Sequence, residues 1–258
     1  MLQRRWLITL LAASCLVSSG HASAQVGNSA QGLIILVGDS TMAPLNGYGD
    51  VLCRAVVPGV ECLNMAKNGR SSKSFRAEGL WDDVLLRLKD HVPHRPAYVL
   101  VQFGHNDQPG KPGRSTDLQT EFPQNLVRYV TDLRQVGAVP VLVTPLTRRT
   151  FKGEKLEPDL EPWAQATRAV AKEQGTPLVD LYAQSYAAVQ PMGQRQADTL
   201  AMDAHWAPGL TDTEAAPAKS KFDRTHLGPQ GAAFFGGMMA GALVGLPGLG
   251  SLLKPDGN

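Results

Sequence analysis

A chain of 258 residues that is 43% hydrophobic and 19% charged has an ordinary globular composition and the length to bury one large core. Two of its 25 basic residues, Arg4 and Arg5, lie in an N-terminal leader, and without them 23 basic residues face 23 acidic ones. That balance argues against a nucleic-acid partner, which selects a basic face.

The leader comes first. Arg4 and Arg5 precede an apolar run over residues 6–17, and small residues then lead to Ala22-Ser23-Ala24. This is the n-region, h-region and A-x-A pattern of a secretory signal, here cleaved after Ala24. The run is shorter than the roughly 20 apolar residues of a membrane span. The expectation is a periplasmic or secreted protein with no membrane partner, residues 25–258 forming one domain. A lipoprotein signal ending before Cys15 fits poorly, because it would cut the h-region short. Cys15 leaves with the leader. Cys53 and Cys62, nine residues apart and in an oxidising compartment, are expected as a disulfide, with two buried thiols as the alternative.

The elements of the mature chain alternate. A short apolar strand is predicted at 33–37, broken by Gly38, then a helix at 48–55 and a strand at 61–65. Residues 67–75 have loop composition. Apolar residues at 80, 81, 84, 85 and 88 give helical spacing over 80–91. A strand at 98–103 ends in Gly104-His105-Asn106-Asp107. A helix over 118–135 stops at Gly137, a strand occupies 139–144, and a helix runs over 161–174 to Gly175. A short strand follows at 178–181. Residues 185–189 suggest helix, whereas 191–220 lack periodicity and read as an irregular loop. A last helix begins at Pro229, a favoured first position, and runs to 244, its glycines suggesting close packing rather than a membrane span. Five alternations of strand and helix predict an α/β fold, a five-stranded parallel sheet with helices on both faces. Its polar strand-end loops then share one edge, where such sheets place their ligands.

Ser40, just after the first strand, is a candidate nucleophile, and a serine needs a base. Histidine titrates near neutrality. Of the six, His226 has Asp223 three residues before it, a spacing that lets one turn present a carboxylate to Nδ1 while Nε2 points away. The developing oxyanion needs donors, and the Ser40 N–H, the Gly69 N–H and the Asn106 side chain are the candidates. Arg70 and Lys73 are candidates to meet anionic groups on a substrate, or else form a solvated loop face, with His105 a further residue at that edge. Asp203 and His205 form a second Asp-x-His pair that reads as a solvated loop.

Gly38-Asp39-Ser40, Gly69, Gly104-x-Asn106-Asp107 and Asp223-x-x-His226 occur in the order of the four blocks of the SGNH (GDSL-like) hydrolases, which the chain resembles over nearly all its mature length. GDSTM at 38–42, NGRSSKSF at 68–75, QFGHNDQ at 102–108 and DRTHLGPQGA at 223–232 are similar to the rhamnogalacturonan acetylesterase branch. The resemblance implies a flavodoxin-like three-layer α/β/α sandwich and Ser40 as nucleophile. It further implies His226 as base, Asp223 as its orienting acid, and Ser40, Gly69 and Asn106 as the oxyanion hole. It implies no cofactor and no metal, and a substrate that is an acetylated polysaccharide, plant pectin in this branch.

Three other readings compete. A lone Ser40 could be a turn residue or helix cap. Gly-Asp-Ser and Gly-His-Asn-Asp superficially resemble metal-binding strand ends of phosphoesterases, but an early Asp-x-His and paired late histidines are missing. A carbohydrate-binding module would not need Ser40, Asp223 and His226 together. The absence of Gly-x-Ser-x-Gly disfavours an α/β-hydrolase.

Overall fold

Alternation along the first strand sets the layers. In the computed structural model, which describes residues 32–90, 95–203 and 222–254, strand β1 (Gly32–Gly38) is buried along its whole length. Leu33, Ile35 and Val37 enter one hydrophobic cluster, whereas Ile34 and Leu36 enter another on the opposite face. A strand buried on both faces is what a parallel sheet between two helical layers requires.

In chain order the elements are β1, α1 (Gly49–Arg54), β2 (Val60–Asn64), α2 (Ser74–Ala77), α3 (Leu80–Lys89), β3 (Ala97–Gln102) and α4 (Glu121–Gln135). Then come β4 (Val139–Val143), β5 (Phe151–Lys152), β6 (Lys155–Leu156), α5 (Glu161–Glu173), β7 (Leu178–Val179) and α6 (Leu181–Val189). Last are α7 (Gly193–Ala197), β8 (Ala201–Asp203), β9 (Phe222–Leu227) and α8 (Pro229–Val244). The main sheet has the order β2-β1-β3-β4-β7, all parallel. This is the flavodoxin-like order, whose direction of winding reverses between β1 and β3. One helical layer contributes Leu52, Leu181, Phe235 and Met239; the other contributes Trp81, Val84, Phe122, Leu126 and Trp163. Each such side chain contributes about 1.5–3 kcal/mol on full burial. The fold is the expected three-layer α/β/α sandwich.

Local chemistry explains where elements begin and end. In α4 the buried residues are Phe122, Asn125, Leu126, Tyr129, Val130 and Leu133, one face of a helix. It starts at Glu121 rather than 118 because Asp117 Oδ1 accepts from the N–H groups of Gln119 and Thr120 and from the Thr120 hydroxyl, closing a turn first. The strand expected over 178–181 stops at Val179, since Asp180 caps α6 by accepting from the Ala183 N–H. In α8, a side chain at Gly236 would run into Val51 of α1 and one at Gly231 into the Leu200 carbonyl, so these two glycines serve close packing as expected, whereas Gly237 and Gly241 face open space. No helix among the described residues is long and apolar enough to cross a membrane. A disulfide joins Cys53 of α1 to Cys62 of β2.

Three expectations are corrected. Residues 67–75 are not loop throughout: α2 begins at Ser74, where Ser71 and Ser74 each accept the other's backbone N–H at 3.1 and 3.0 Å, a reciprocal cap. Residues 190–203 are not irregular but run through a 3-10 turn (Gln190–Met192), α7, a second 3-10 turn (Asp198–Leu200) and strand β8. The Asp223–His226 turn, for which no strand was expected, lies within strand β9, paired antiparallel with β8. The expected leader at 1–24, His91, His94, His205 and residues 204–221 lie outside the described residues.

Candidate active site

Ser40 stands just past β1, at the point where the strand order reverses, and only 4% of it is exposed. The turn beneath it is tied to Asp39. The Asp39 carbonyl accepts from the N–H groups of Met42 and Ala43, and its Oδ1 accepts from both the N–H and the hydroxyl of Thr41 at 2.9 and 2.8 Å. Thr41 Oγ1 in turn accepts from Gln102 Nε2 at 2.7 Å, and Gln102 Oε1 accepts from the Tyr48 hydroxyl at 2.6 Å. Asp39, Thr41, Gln102 and Tyr48 are all buried, and each bond satisfies a polar atom that water cannot reach. His105 Nδ1 lies 3.2 Å from Asp39 Oδ2, with His105 only 2% exposed. Burial pushes the His105 imidazole below its ordinary range against the pull of Asp39, so the ring is neutral and donates its Nδ1–H to an ionised Asp39. Burial would raise the Asp39 carboxyl, but the donors from His105 and Thr41 hold it below its ordinary value.

The two further donors flank this turn. Gly69 has φ +75°, the left-handed region open to glycine, on a loop held to β1 by the Lys67 N–H donating to the Gly38 carbonyl at 3.0 Å. Asn106 follows β3 and donates one Nδ2–H to the Arg70 carbonyl at 3.0 Å, leaving its second for a ligand. Among the described residues, neither the Ser40 nor the Gly69 N–H has a hydrogen-bond partner. Asp107, buried behind Asn106, accepts from the Ser72 N–H and hydroxyl and from the Thr116 hydroxyl. Burial nevertheless pushes its carboxyl up to about 7, with those donors pulling the other way.

The third part arrives from the other end of the chain. His226 Nε2 lies 2.7 Å from Ser40 Oγ, and His226 Nδ1 lies 2.6 Å from Asp223 Oδ2. Asp223 Oδ1 accepts from the N–H groups of Thr225 and His226, so the single turn expected from the spacing exists inside the strand. It fits there because the ladder pairs Met202 with Asp223 and Ala201 with Leu227, which bulges out the residues between. Burial raises the Asp223 carboxyl, but the His226 ring and the two N–H donors outweigh it and hold it well below the usual carboxylate range. An ionised Asp223 fixes the tautomer with the proton on Nδ1, and Nε2 is then the lone-pair nitrogen facing the Ser40 hydroxyl.

The residues expected to touch substrate sit differently. His105 does not face the cleft; it is buried against Asp39, because a strand-end carboxylate in the core needs a donor. Arg70 and Lys73 are at the expected edge but are ion-paired, Arg70 with Glu78 at 2.7 Å and Lys73 with Glu121 at 3.0 Å. Arg70 serves the site through its carbonyl. One cation that stands beside the donors is Lys111, whose Nζ donates to the His105 carbonyl at 2.5 Å and lies 3.5 Å from Asn106 Oδ1. With Lys73, Gly110, Pro112, Gly113 and Ser115 it lines an open pocket of about 350 Å³. No sequence motif marked Lys111, since a lysine in a Gly/Pro loop reads as solvated. Asp203 belongs to β8, in register with Phe222. Among the described residues, no group of three His, Cys, Asp or Glu is placed to hold a metal ion.

Comparisons with known proteins identify the family. The model of the GDSL-like lipase/acylhydrolase family matches residues 34–234. The chain is 35% identical over 175 residues to rhamnogalacturonan acetylesterase RhgT of Bacillus subtilis, covering 65% of this chain and 72% of that protein. It is 31% identical over 176 residues to "Probable rhamnogalacturonan acetylesterase YesY" of the same organism, covering 66% and 79%. Among solved structures, protein YXIM of B. subtilis superimposes with a TM-score of 0.66 at 24% identity, covering 83% of this chain, which spans 56% of that one. The acetylxylan esterase Axe2 of Geobacillus stearothermophilus superimposes at 0.58 with 16% identity, covering 83% and 95%; both likenesses speak to fold alone. The chain belongs to the GDSL-like lipase/acylhydrolase family, whose members are carboxylic ester hydrolases.

Proposed function

We propose that this protein is a secreted or periplasmic serine esterase that removes O-acetyl groups from a plant cell-wall polysaccharide, the rhamnogalacturonan of pectin. The observation that carries the chemistry is the unbroken line from Ser40 Oγ through His226 to Asp223, at 2.7 and 2.6 Å. In this reading Ser40 Oγ attacks the acetyl carbonyl carbon while its proton passes to His226 Nε2. The oxyanion forms against the N–H groups of Ser40 and Gly69 and the free Nδ2–H of Asn106. The ester C–O bond then breaks, and the sugar oxygen leaves with the proton from His226. Water repeats the sequence on the acetyl-enzyme, with His226 taking its proton, and acetate leaves Ser40. Asp223 stays ionised and steadies the imidazolium.

The substrate half rests on the 35% identical relative and on charge. Lys111 and Arg114 border the donors, Arg114 Nη1 reaching the Gly69 carbonyl at 3.4 Å, and among the described residues neither has a carboxylate partner. Two such cations suit a chain of uronates. The leader at 1–24 supports export. The test is acetate release from acetylated rhamnogalacturonan, homogalacturonan and xylan, measured side by side for the wild type and Ser40→Ala. The expected result is fastest release from rhamnogalacturonan and none with the variant. Equal or faster release from xylan overturns the substrate; release by Ser40→Ala overturns the mechanism.

A further inference from the structure

The turn that carries Asp223 and His226 receives little from its own ribbon. The register leaves Arg224, Thr225 and His226 without residues opposite them on β8. Two consecutive arginines in the segment after β4 supply donors to all three. The Arg149 N–H donates to the Arg224 carbonyl at 3.0 Å, Arg148 Nε donates to Thr225 Oγ1 at 3.1 Å, and Arg149 Nη2 donates to the His226 carbonyl at 2.8 Å.

Both arginines are themselves anchored. Arg149 has no exposed surface, donates Nη1 to the Thr147 carbonyl at 3.2 Å and lies 5.8 Å from the Phe235 ring. Among the described residues its Nε has no partner and no carboxylate pairs with it. Burial drives its guanidinium down to about 9, with the Asp223 charge opposing. A wholly buried cation bonded only to carbonyls is costly, so the core keeps it against its own stability. Arg148 is ion-paired with Asp159, whose carbonyl accepts from Gln108 Nε2 at 3.0 Å. Gln108 is two residues past Asn106, so this chain of contacts ties the His226 turn to the Asn106 loop.

We propose that Arg148 and Arg149 are positioning residues that hold the main chain of residues 224–226, so that His226 Nε2 stays at Ser40 Oγ. The inference rests on the reading of His226 as the base. The bulge lacks ladder bonds; Arg224 is also paired with Asp198 at 2.7 Å and Asp223 Oδ1 accepts from the Thr225 and His226 N–H groups, but only the arginine pair reaches Thr225 Oγ1 and the His226 carbonyl, and a displacement of about 1 Å can cost roughly a hundredfold in rate.

The experiment uses the full chain and p-nitrophenyl acetate, a small ester that makes no sugar contacts. Arg148→Gln and Thr225→Val are each expected to lower kcat about tenfold with KM within about twofold, and the double variant to fall no further, because both remove one contact. Arg149→Met is expected to lose about a hundredfold, and Arg149→Lys not to restore it, since one ammonium cannot serve two carbonyls in a fork. The downfield proton signal of the His226–Asp223 bond is expected to shift or broaden in Arg148→Gln, which a distant structural role would not produce. If Arg149→Met does not fold, the Arg148–Thr225 cycle decides. Unchanged kcat and an unchanged signal in Arg148→Gln and Thr225→Val overturn the proposal, as does a rise in KM alone. Activity in Ser40→Ala would instead overturn the esterase reading, whereas an inactive Ser40→Ala beside a fully active Arg148→Gln overturns only the clamp.

Discussion

The two halves of this site are built in opposite ways. Ser40 and Asn106 sit at the ends of adjacent central strands, 4% and 7% exposed, above a buried network of Asp39, Thr41, Gln102, Tyr48 and His105. Asp223 and His226 stand on a bulged ribbon with about a quarter of their side chains exposed, and His226 reaches Ser40 across 186 residues of chain. The sheet supplies rigidity to the nucleophile and the oxyanion donors at no separate cost. In the proposed mechanism His226 exchanges a proton with substrate and product, which fits its place at the surface.

Substitutions can break that contrast. The largest expected effect is on the shared contact: Ser40→Ala should lower kcat/KM by roughly 10⁴-fold or more, with a Tm near wild type, as read by ester hydrolysis and thermal melting. On the ribbon side, Asp223→Asn should lower kcat by roughly 10³–10⁴-fold. Its remaining carbonyl oxygen can still accept from Thr225 and His226, so a melting curve should show the turn intact; a large loss of Tm would mean that Asp223 is chiefly structural.

On the sheet side, Asn106→Ala should lower kcat by about 10²–10³-fold with KM little changed, the loss of one oxyanion donor. A change confined to KM would remove Asn106 from that role. The smallest effect concerns Asp107 and stability rather than rate. Its folded-state pKa of about 7 stands above the ordinary 3.8, so between those values the folded protein holds a proton that the unfolded chain has released. Stability from this group is therefore full at low pH, falls as pH rises through that window and levels off above about 8, a loss of about 4 kcal/mol. Denaturant titrations from pH 5 to 8 should show that slope in the wild type and a flatter one in Asp107→Asn. Parallel slopes would show Asp107 to be ionised throughout.

The sheet half was legible in the sequence because its signals are local. Strands β1, β3 and β4 lie within one residue of their expected bounds, since an apolar run ended by Gly or Pro has one reading when helices alternate with it. The ribbon half was not. Strand β9 is half-buried, lacks alternation, and pairs with a three-residue strand some 20 positions earlier, so no short window contains its reason for being a strand. The β5–β6 hairpin did leave a signal, Gly153-Glu154 between Lys152 and Lys155, a Gly-first two-residue loop. The serines that cap α2 were hidden because Ser reads first as loop.

The sequence by itself carried the alternation of the parallel α/β architecture and, through the resemblance of its four blocks, pointed to Ser40, Gly69, Asn106, Asp223 and His226 as candidates. Strand ends, turn spacing and residue chemistry are properties of a few neighbouring positions. Only the tertiary structure decided that His105 turns inward to Asp39 and that Arg70 and Lys73 are matched by carboxylates. It also decided that Lys111 stands beside Asn106 and that Arg148 and Arg149 donate to Thr225 and to the His226 carbonyl. Each of these depends on which charge meets which carbonyl or carboxylate across distant segments, and burial, not sequence spacing, makes such a pairing obligatory.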